Sequence, residues 1–77
     1  MEIKDFISNF ADQFDDLDAS TLTPETEFKQ LEDWNSLVAL SIIAMVDEEY
    51  DVTIKGNDIK GVTTIGELFN IVESKLQ

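Results

Sequence analysis

The sequence predicts an all-α fold: a small four-helix bundle of three main helices and one short helix, with a long first connection. Three segments of the 77-residue chain repeat apolar residues at the spacing of one helical face. The alternating segment at residues 51–55 is too short for a stable strand pair. At 43% hydrophobic residues the chain can build one core, so we expect a single domain over residues 1–77.

The first main helix lies near the N-terminus and has one apolar face. Its apolar residues recur at three- and four-residue intervals, with polar residues between them. They are Ile3, Phe6, Ile7, Phe10 and Phe14.

A long connection follows this helix, over residues 15–35. Thr23 and Pro24 suit a cap followed by proline at a first helical position, so we predict one short turn there. We expect three large apolar side chains to anchor the connection on the core, namely those of Phe28, Leu31 and Trp34.

The middle helix is predicted over residues 36–50, with Ser36 as a good N-cap. Further apolar residues make it apolar on nearly all sides, which is typical of a buried helix or of a partner surface. Its main stripe consists of Ala39, Ile42, Ile43, Val46 and Tyr50.

The last third of the chain is predicted to hold a packed loop, a short helix and the last main helix. Val52 and Ile54 belong to the loop, and the short helix covers residues 57–60. Thr64 and Glu67 form a capping-box pair, which predicts the start of the last helix. The apolar face of that helix consists of Ile65, Leu68, Phe69, Val72 and Leu76.

The charge of the chain limits its partners. The net charge is −12, with no Arg or His, and residues 52–77 are neutral, so residues 1–51 carry all of it. Nucleic acid and anionic membranes are therefore poor partners, and proteins with basic patches are favoured. The absence of Cys, of a signal-like N-terminus and of a membrane-length apolar run predicts a cytoplasmic protein.

Ser36 is the candidate for chemistry, although no catalytic constellation accompanies it. Without His there is no Ser–His dyad, so we do not expect an enzyme. A serine at the start of a helix lies where the helix dipole and free N–H groups favour a phosphate. A helix cap alone would also explain Ser36, and the position by itself favours that simpler interpretation.

Three sequence blocks favour a functional role for Ser36 over that of a simple helix cap. Asn35-Ser36-Leu37, the segment DEEYDVTI at residues 47–54 and the segment VTTIGEL at residues 62–68 follow one another at characteristic spacing. In content and spacing they resemble the acyl carrier protein family, and the resemblance covers nearly all of the chain. Asn35 departs from the family pattern, which usually has Asp at that position.

The resemblance implies a carrier rather than a catalyst. Ser36, flanked by Asn35 and Leu37, would receive 4'-phosphopantetheine from coenzyme A through a phosphopantetheinyl transferase. The thiol of that arm would carry acyl groups as thioesters between acyl-loading and acyl-transfer enzymes. The carrier would be a monomer, and its apolar interior would shelter the acyl chain.

A second stripe of the middle helix predicts where partners dock. On the helical period it consists of Trp34, Val38, Ser41, Met45 and Glu48, and we expect it to be partly exposed. Partner enzymes should then present a mixed basic and apolar surface. Because positions 38 and 41 are usually acidic in fatty-acid carriers, the resemblance favours a specialised pathway. The predicted docking residues are Val38, Ser41, Met45, Asp47 and Glu48.

Two alternatives remain open from the sequence. An unmodified acidic adaptor of the same fold is compatible with the change at Asn35. A single EF-hand-like calcium loop is suggested by acids and a serine at loop positions 1, 3, 5 and 12, but it lacks the turn glycine and a second loop, and we expect no metal. The residues concerned are Asp16, Asp18, Ser20 and Glu27.

Overall fold

The computed structural model describes residues 2–76 of the chain. This part is all-helical, without strands, and confirms the predicted fold class of a small helical bundle with a long first connection. In this same range, no helix combines the length and the apolar character needed to cross a membrane. The α-helices are α1 (Ile3–Ala11), α2 (Ser36–Tyr50), α3 (Gly56–Lys60) and α4 (Ile65–Lys75).

The core lies where α1 contacts both α2 and α4. Phe6 of α1 is fully buried, and its ring centroid lies 5.6 Å from that of Phe69 and 5.9 Å from that of Tyr50. Among the described residues every buried side chain of the core is apolar. The periodic apolar faces predicted for the three main helices therefore supply most of the core, except that Leu76 follows the end of α4 and is exposed. Its largest fully buried side chains are Phe6, Phe10, Phe28, Ile42, Ile54, Ile65, Leu68, Val46 and Val72.

The long connection is fixed by aromatic packing, as predicted. Phe28 is fully buried, and its ring centroid lies 5.4 Å from that of Phe10 and 5.0 Å from that of Trp34. The predicted turn is present, because the N–H of Thr26 donates to the Thr23 carbonyl at 3.0 Å. Two short 3₁₀ helices, Ala19–Thr21 and Phe28–Gln30, were not predicted, since three residues carry no periodic signal.

The capping box at the start of α4 is confirmed. The Thr64 hydroxyl accepts from the N–H of Glu67 at 3.2 Å, and one Glu67 oxygen accepts from the N–H groups of Thr63 and Thr64 at 2.8 and 3.0 Å. These bonds, that from Thr63 first, lower the pKa of the Glu67 carboxyl. The N–H of Gly66 also donates to the Pro24 carbonyl at 2.8 Å, which ties the long connection to this helix.

The far end of α2 is held by two local features. The Tyr50 hydroxyl accepts a hydrogen bond from Asn9 Nδ2 at 2.9 Å, which joins α2 to α1. Asp51 then adopts a left-handed conformation at φ 55°, which ends the helix, and its N–H donates to the Asp47 carbonyl. The chain continues through Val52 and Ile54, both buried as predicted for a packed loop.

Candidate functional site

Ser36 is the first residue of α2, and its side chain is exposed. The helix begins where the sequence predicted, but the prediction that Ser36 is the N-cap is wrong. Asn35 is the cap: its backbone is extended, at φ −158° and ψ 179°, and its Oδ1 accepts from the N–H of Val38 at 3.0 Å. The capping role therefore falls to Asn35, and the Ser36 hydroxyl is not used for it.

The backbone before Ser36 is held in place by short contacts. Asn35 Nδ2 donates to the Asp33 carbonyl at 3.2 Å, and the N–H of Trp34 donates to the Leu31 carbonyl at 3.0 Å. The Trp34 ring packs edge-on against Phe28 and lies 6.5 Å from Phe14, centroid to centroid. Ser36 therefore lies at the junction between the long connection and α2, and these contacts hold the backbone before it in place.

The start of α2 offers a favourable environment for an anion. The helix has 15 residues, and its first turn contains no acidic residue. The N-terminal end of such a helix carries a partial positive charge and free N–H groups. A phosphodiester on the Ser36 hydroxyl would lie in this field.

An open groove lies beside Ser36, between α2 and α3. Its volume is about 630 Å³, within the range of small-molecule sites. The family resemblance implied a sheltering interior, but the sequence did not identify this groove, because α3 and the connection are brought to α2 only by folding. The lining consists of Lys29, Trp34, Asn35, Ser36, Ala39, Leu40, Ile43, Gly56, Ile59 and Lys60.

The exposed face of α2 differs from the predicted stripe. Met45 is 5% exposed and belongs to the core, so its placement on an exposed docking stripe is wrong. Met45 is buried because α2 packs against α1 on one flank and α3 on another. Val38 and Ser41 are partly exposed, as predicted, and Val38 faces the loop after α1 near Phe14.

The side of α2 without a neighbouring helix exposes other apolar residues. Leu37 is 75% exposed and Leu40 is 62% exposed, and Ala44 continues the same stripe. Asp47 and Glu48, predicted as docking residues, are exposed at its end. The sequence contained the signal for this face, since Leu37, Leu40 and Ala44 lie outside the main apolar stripe of the helix.

The residues of the suggested calcium loop have another arrangement. Asp18 accepts from the N–H of Ser20 at 2.9 Å and caps the first 3₁₀ helix. The pKa of its carboxyl is lowered, chiefly by that backbone hydrogen bond. Within residues 2–76 no group of three or more His, Cys, Asp or Glu residues is arranged to hold a metal ion.

Comparison with known proteins defines the class of the molecule. Residues 5–72 match the family model of the phosphopantetheine attachment site. This match covers most of the chain, so the protein belongs to the phosphopantetheine-binding acyl carrier family, as the sequence blocks suggested. The group that this family carries is 4'-phosphopantetheine, bound covalently.

Individual relatives are similar along much of their length. The chain is 34% identical to an acyl carrier protein of Picosynechococcus sp. over 74 residues, which is 96% of this chain and 91% of the relative. It is 29% identical to an acyl carrier protein of Exiguobacterium sp. over 59 residues, or 77% and 75% of the two chains. It is 30% identical over 61 residues to the polyketide-8 synthase acyl carrier protein 2 of Streptomyces avermitilis, or 79% and 70%.

Proposed function

We propose that this protein is an acyl carrier protein that holds phosphopantetheine on Ser36 and passes acyl groups between enzymes as thioesters. The observation that carries the proposal is the position of Ser36. Its exposed side chain follows directly after the Asn35 cap and borders the groove between α2 and α3. The family match supplies the chemistry of the attached group.

The role of each residue follows from the geometry around the serine. The Ser36 oxygen would form the new phosphate ester with coenzyme A as donor, releasing its proton and the nucleotide part of the coenzyme. Asn35 would fix the first turn of α2 by accepting a hydrogen bond from the N–H of Val38, and Leu37 would contact the transferase from its exposed position. When bound, the arm supplies a thiol that carries acyl groups as thioesters.

We also propose that partner enzymes dock on the exposed side of α2. The apolar residues Leu37, Leu40 and Ala44 would meet an apolar surface, and Asp47 and Glu48 would attract basic residues next to it. Because α2 contains no acid before Asp47, such partners need few basic residues near Ser36. This pattern favours a specialised pathway over bulk fatty-acid synthesis.

The family implies partners that handle acyl groups and a phosphopantetheinyl transferase, and the remaining expectations fit a simple carrier. We infer one carrier domain over residues 1–77 that acts as a cytoplasmic monomer without catalytic activity of its own. An unmodified adaptor of the same fold is the second candidate function. Asn35 favours it, because a transferase that requires Asp at this position would not modify Ser36.

The test is modification with a broad-specificity phosphopantetheinyl transferase, coenzyme A and magnesium, followed by intact-mass analysis and mapping of the adduct. We expect one adduct, at Ser36, that is absent from Ser36→Ala. The matched control Ser41→Ala changes the other serine of α2 and should be modified at the wild-type rate. No adduct on the wild-type protein, or an adduct that survives Ser36→Ala, contradicts the proposal.

A further inference from the structure

Two cations line the groove beside Ser36, although the chain as a whole has a net charge of −12. Lys29 comes from the second 3₁₀ helix, and Lys60 is the last residue of α3. The lining drawn from the described residues contains neither Asp nor Glu. Two of the five lysines of the chain lie in this lining, which concentrates positive charge beside Ser36.

The contacts of the Lys29 ammonium leave some of its N–H donors without a hydrogen bond. Lys29 Nζ donates to the backbone carbonyl of Lys60 at 3.0 Å and lies 5.9 Å from the centroid of the Phe28 ring. This hydrogen bond ties the 3₁₀ helix to the carboxyl end of α3. An ammonium has three N–H donors, so this carbonyl occupies only one of those on Lys29. The structural role of Lys29 is therefore compatible with binding an anion in the groove.

The rest of the lining is mostly apolar. Trp34, Ile43 and Ile59 provide aromatic and aliphatic surface in the same lining as the two lysines. An apolar surface that ends in cations fits a molecule with an apolar body and an anionic end. A fully aliphatic chain has no anionic group, so it would form no favourable electrostatic interaction with the two lysines.

We propose that the groove takes acyl cargo whose far end bears a carboxylate, held by Lys29 and Lys60. This proposal rests on the proposed attachment of phosphopantetheine at Ser36. The phosphodiester of the arm is another anion that could meet the same lysines. The experiment must therefore separate an effect on the cargo carboxylate from an effect on the arm.

The test compares two cargoes of similar length, adipoyl with its terminal carboxylate and methyl adipoyl with a neutral ester end. Both are loaded from their coenzyme A thioesters by a broad-specificity phosphopantetheinyl transferase, and loading is verified by intact mass. Hydroxylamine, a neutral nucleophile, then cleaves the thioester in proportion to its exposure. We expect Lys29→Gln/Lys60→Gln to speed adipoyl cleavage about two- to fivefold relative to methyl adipoyl, as for a partly exposed ion pair.

The control variant is Lys4→Gln/Lys75→Gln, which makes the same change in net charge outside the groove lining and should leave the cleavage ratio unchanged. Glutamine at position 29 keeps an N–H donor for the Lys60 carbonyl, and thermal melting checks that the variant is folded. If it is not, Lys60→Gln alone serves, because the contact from Lys29 goes to the main chain of Lys60.

Three results would overturn the inference, and they differ in meaning. If the groove variant changes the cleavage rate of neither cargo, the lysines do not hold the cargo carboxylate, while attachment at Ser36 stands. An equal change for both cargoes assigns the lysines to the phosphodiester instead. Failure of the wild-type protein to load either cargo overturns the proposed function and this inference together.

Discussion

Asn35 connects the stability of α2 with the recognition of Ser36, and substitutions there separate the two. Asn35→Ala removes the oxygen that accepts from the N–H of Val38 at 3.0 Å. Loss of an N-cap of this kind costs about 1 kcal/mol of unfolding free energy. Asn35→Asp keeps the accepting oxygen and adds a negative charge at the positive end of the helix, a gain of about 0.3–1 kcal/mol.

The aspartate variant also has a cost. It loses the hydrogen bond from Asn35 Nδ2 to the Asp33 carbonyl, which is exposed and 3.2 Å long, and it adds charge to an acidic chain. We therefore expect Asn35→Asp to lie within about 0.5 kcal/mol of the wild type, as is usual for exposed substitutions. Urea denaturation at neutral pH measures the free energy of unfolding of both variants and of the wild type.

The same variants report on the transferase. If the transferase donates a hydrogen bond to the side chain before the serine, that bond is charged in Asn35→Asp and neutral in the wild type. The difference is about 1 kcal/mol, or roughly fivefold in kcat/KM. We expect Asn35→Asp to be modified faster than the wild type by about this factor, and Asn35→Ala more slowly. An Asn35→Ala variant as stable as the wild type would refute the assignment of the cap. Equal rates for Asn35→Asp and the wild type would refute the role of the charge.

Three further predictions concern the packing, the pH dependence and the docking face. Gly66→Ala should lower the unfolding free energy by about 1 kcal/mol, because its Cβ would lie 3.0 Å from the Pro24 carbonyl oxygen. The control Gly61→Ala meets nothing closer than 3.5 Å and should stabilise by about 0.4–1 kcal/mol, so a stabilising Gly66→Ala in the same urea titration would contradict this packing. Glu67 has a lowered pKa in the folded state, so its stabilising contribution is present above its ordinary value of 4.5 and is lost as the pH falls through the folded value. Glu67→Gln keeps the accepting oxygen without the charge, so its melting temperature should fall below that of the wild type at pH 7 and the gap should close in acid; a gap independent of pH would contradict the linkage. Leu37→Ser should change the free energy of unfolding by no more than about 0.5 kcal/mol, because Leu37 is 75% exposed. The same variant should bind an acyl-transfer enzyme more weakly than the wild type does. Unchanged affinity in calorimetry would show that Leu37 is not part of the docking face.

The helices could be predicted because their apolar residues recur with the helical period. Phe6 and Phe10 of α1 and Leu68 of α4 are buried as that period requires. The start of α4 was also readable, since Thr64 and Glu67 stand at the spacing of a reciprocal cap. These signals are local, so one sequence is enough to detect them.

The cap of α2 and its exposed face could not be predicted with the same success. Asn and Ser are both good caps, and only the extended backbone of Asn35 decides between adjacent residues. Since α2 is apolar on nearly all sides, its period does not tell which side lacks a neighbour. The packing of α1 and α3 decides that Met45 is buried and Leu40 is exposed.

Leu40 links the two surfaces that the proposed function requires. It lines the groove beside Ser36, and it also lies on the exposed apolar stripe with Leu37 and Ala44. An enzyme that docks on this stripe would therefore touch the rim of the groove. Residues 1–51 carry the negative net charge that would attract such an enzyme, whereas Lys60, which also lines the groove, belongs to the neutral residues 52–77. A basic partner would be attracted to the acidic residues and repelled by the Lys60 ammonium, so its docking on the acidic side would leave Lys60 available for cargo.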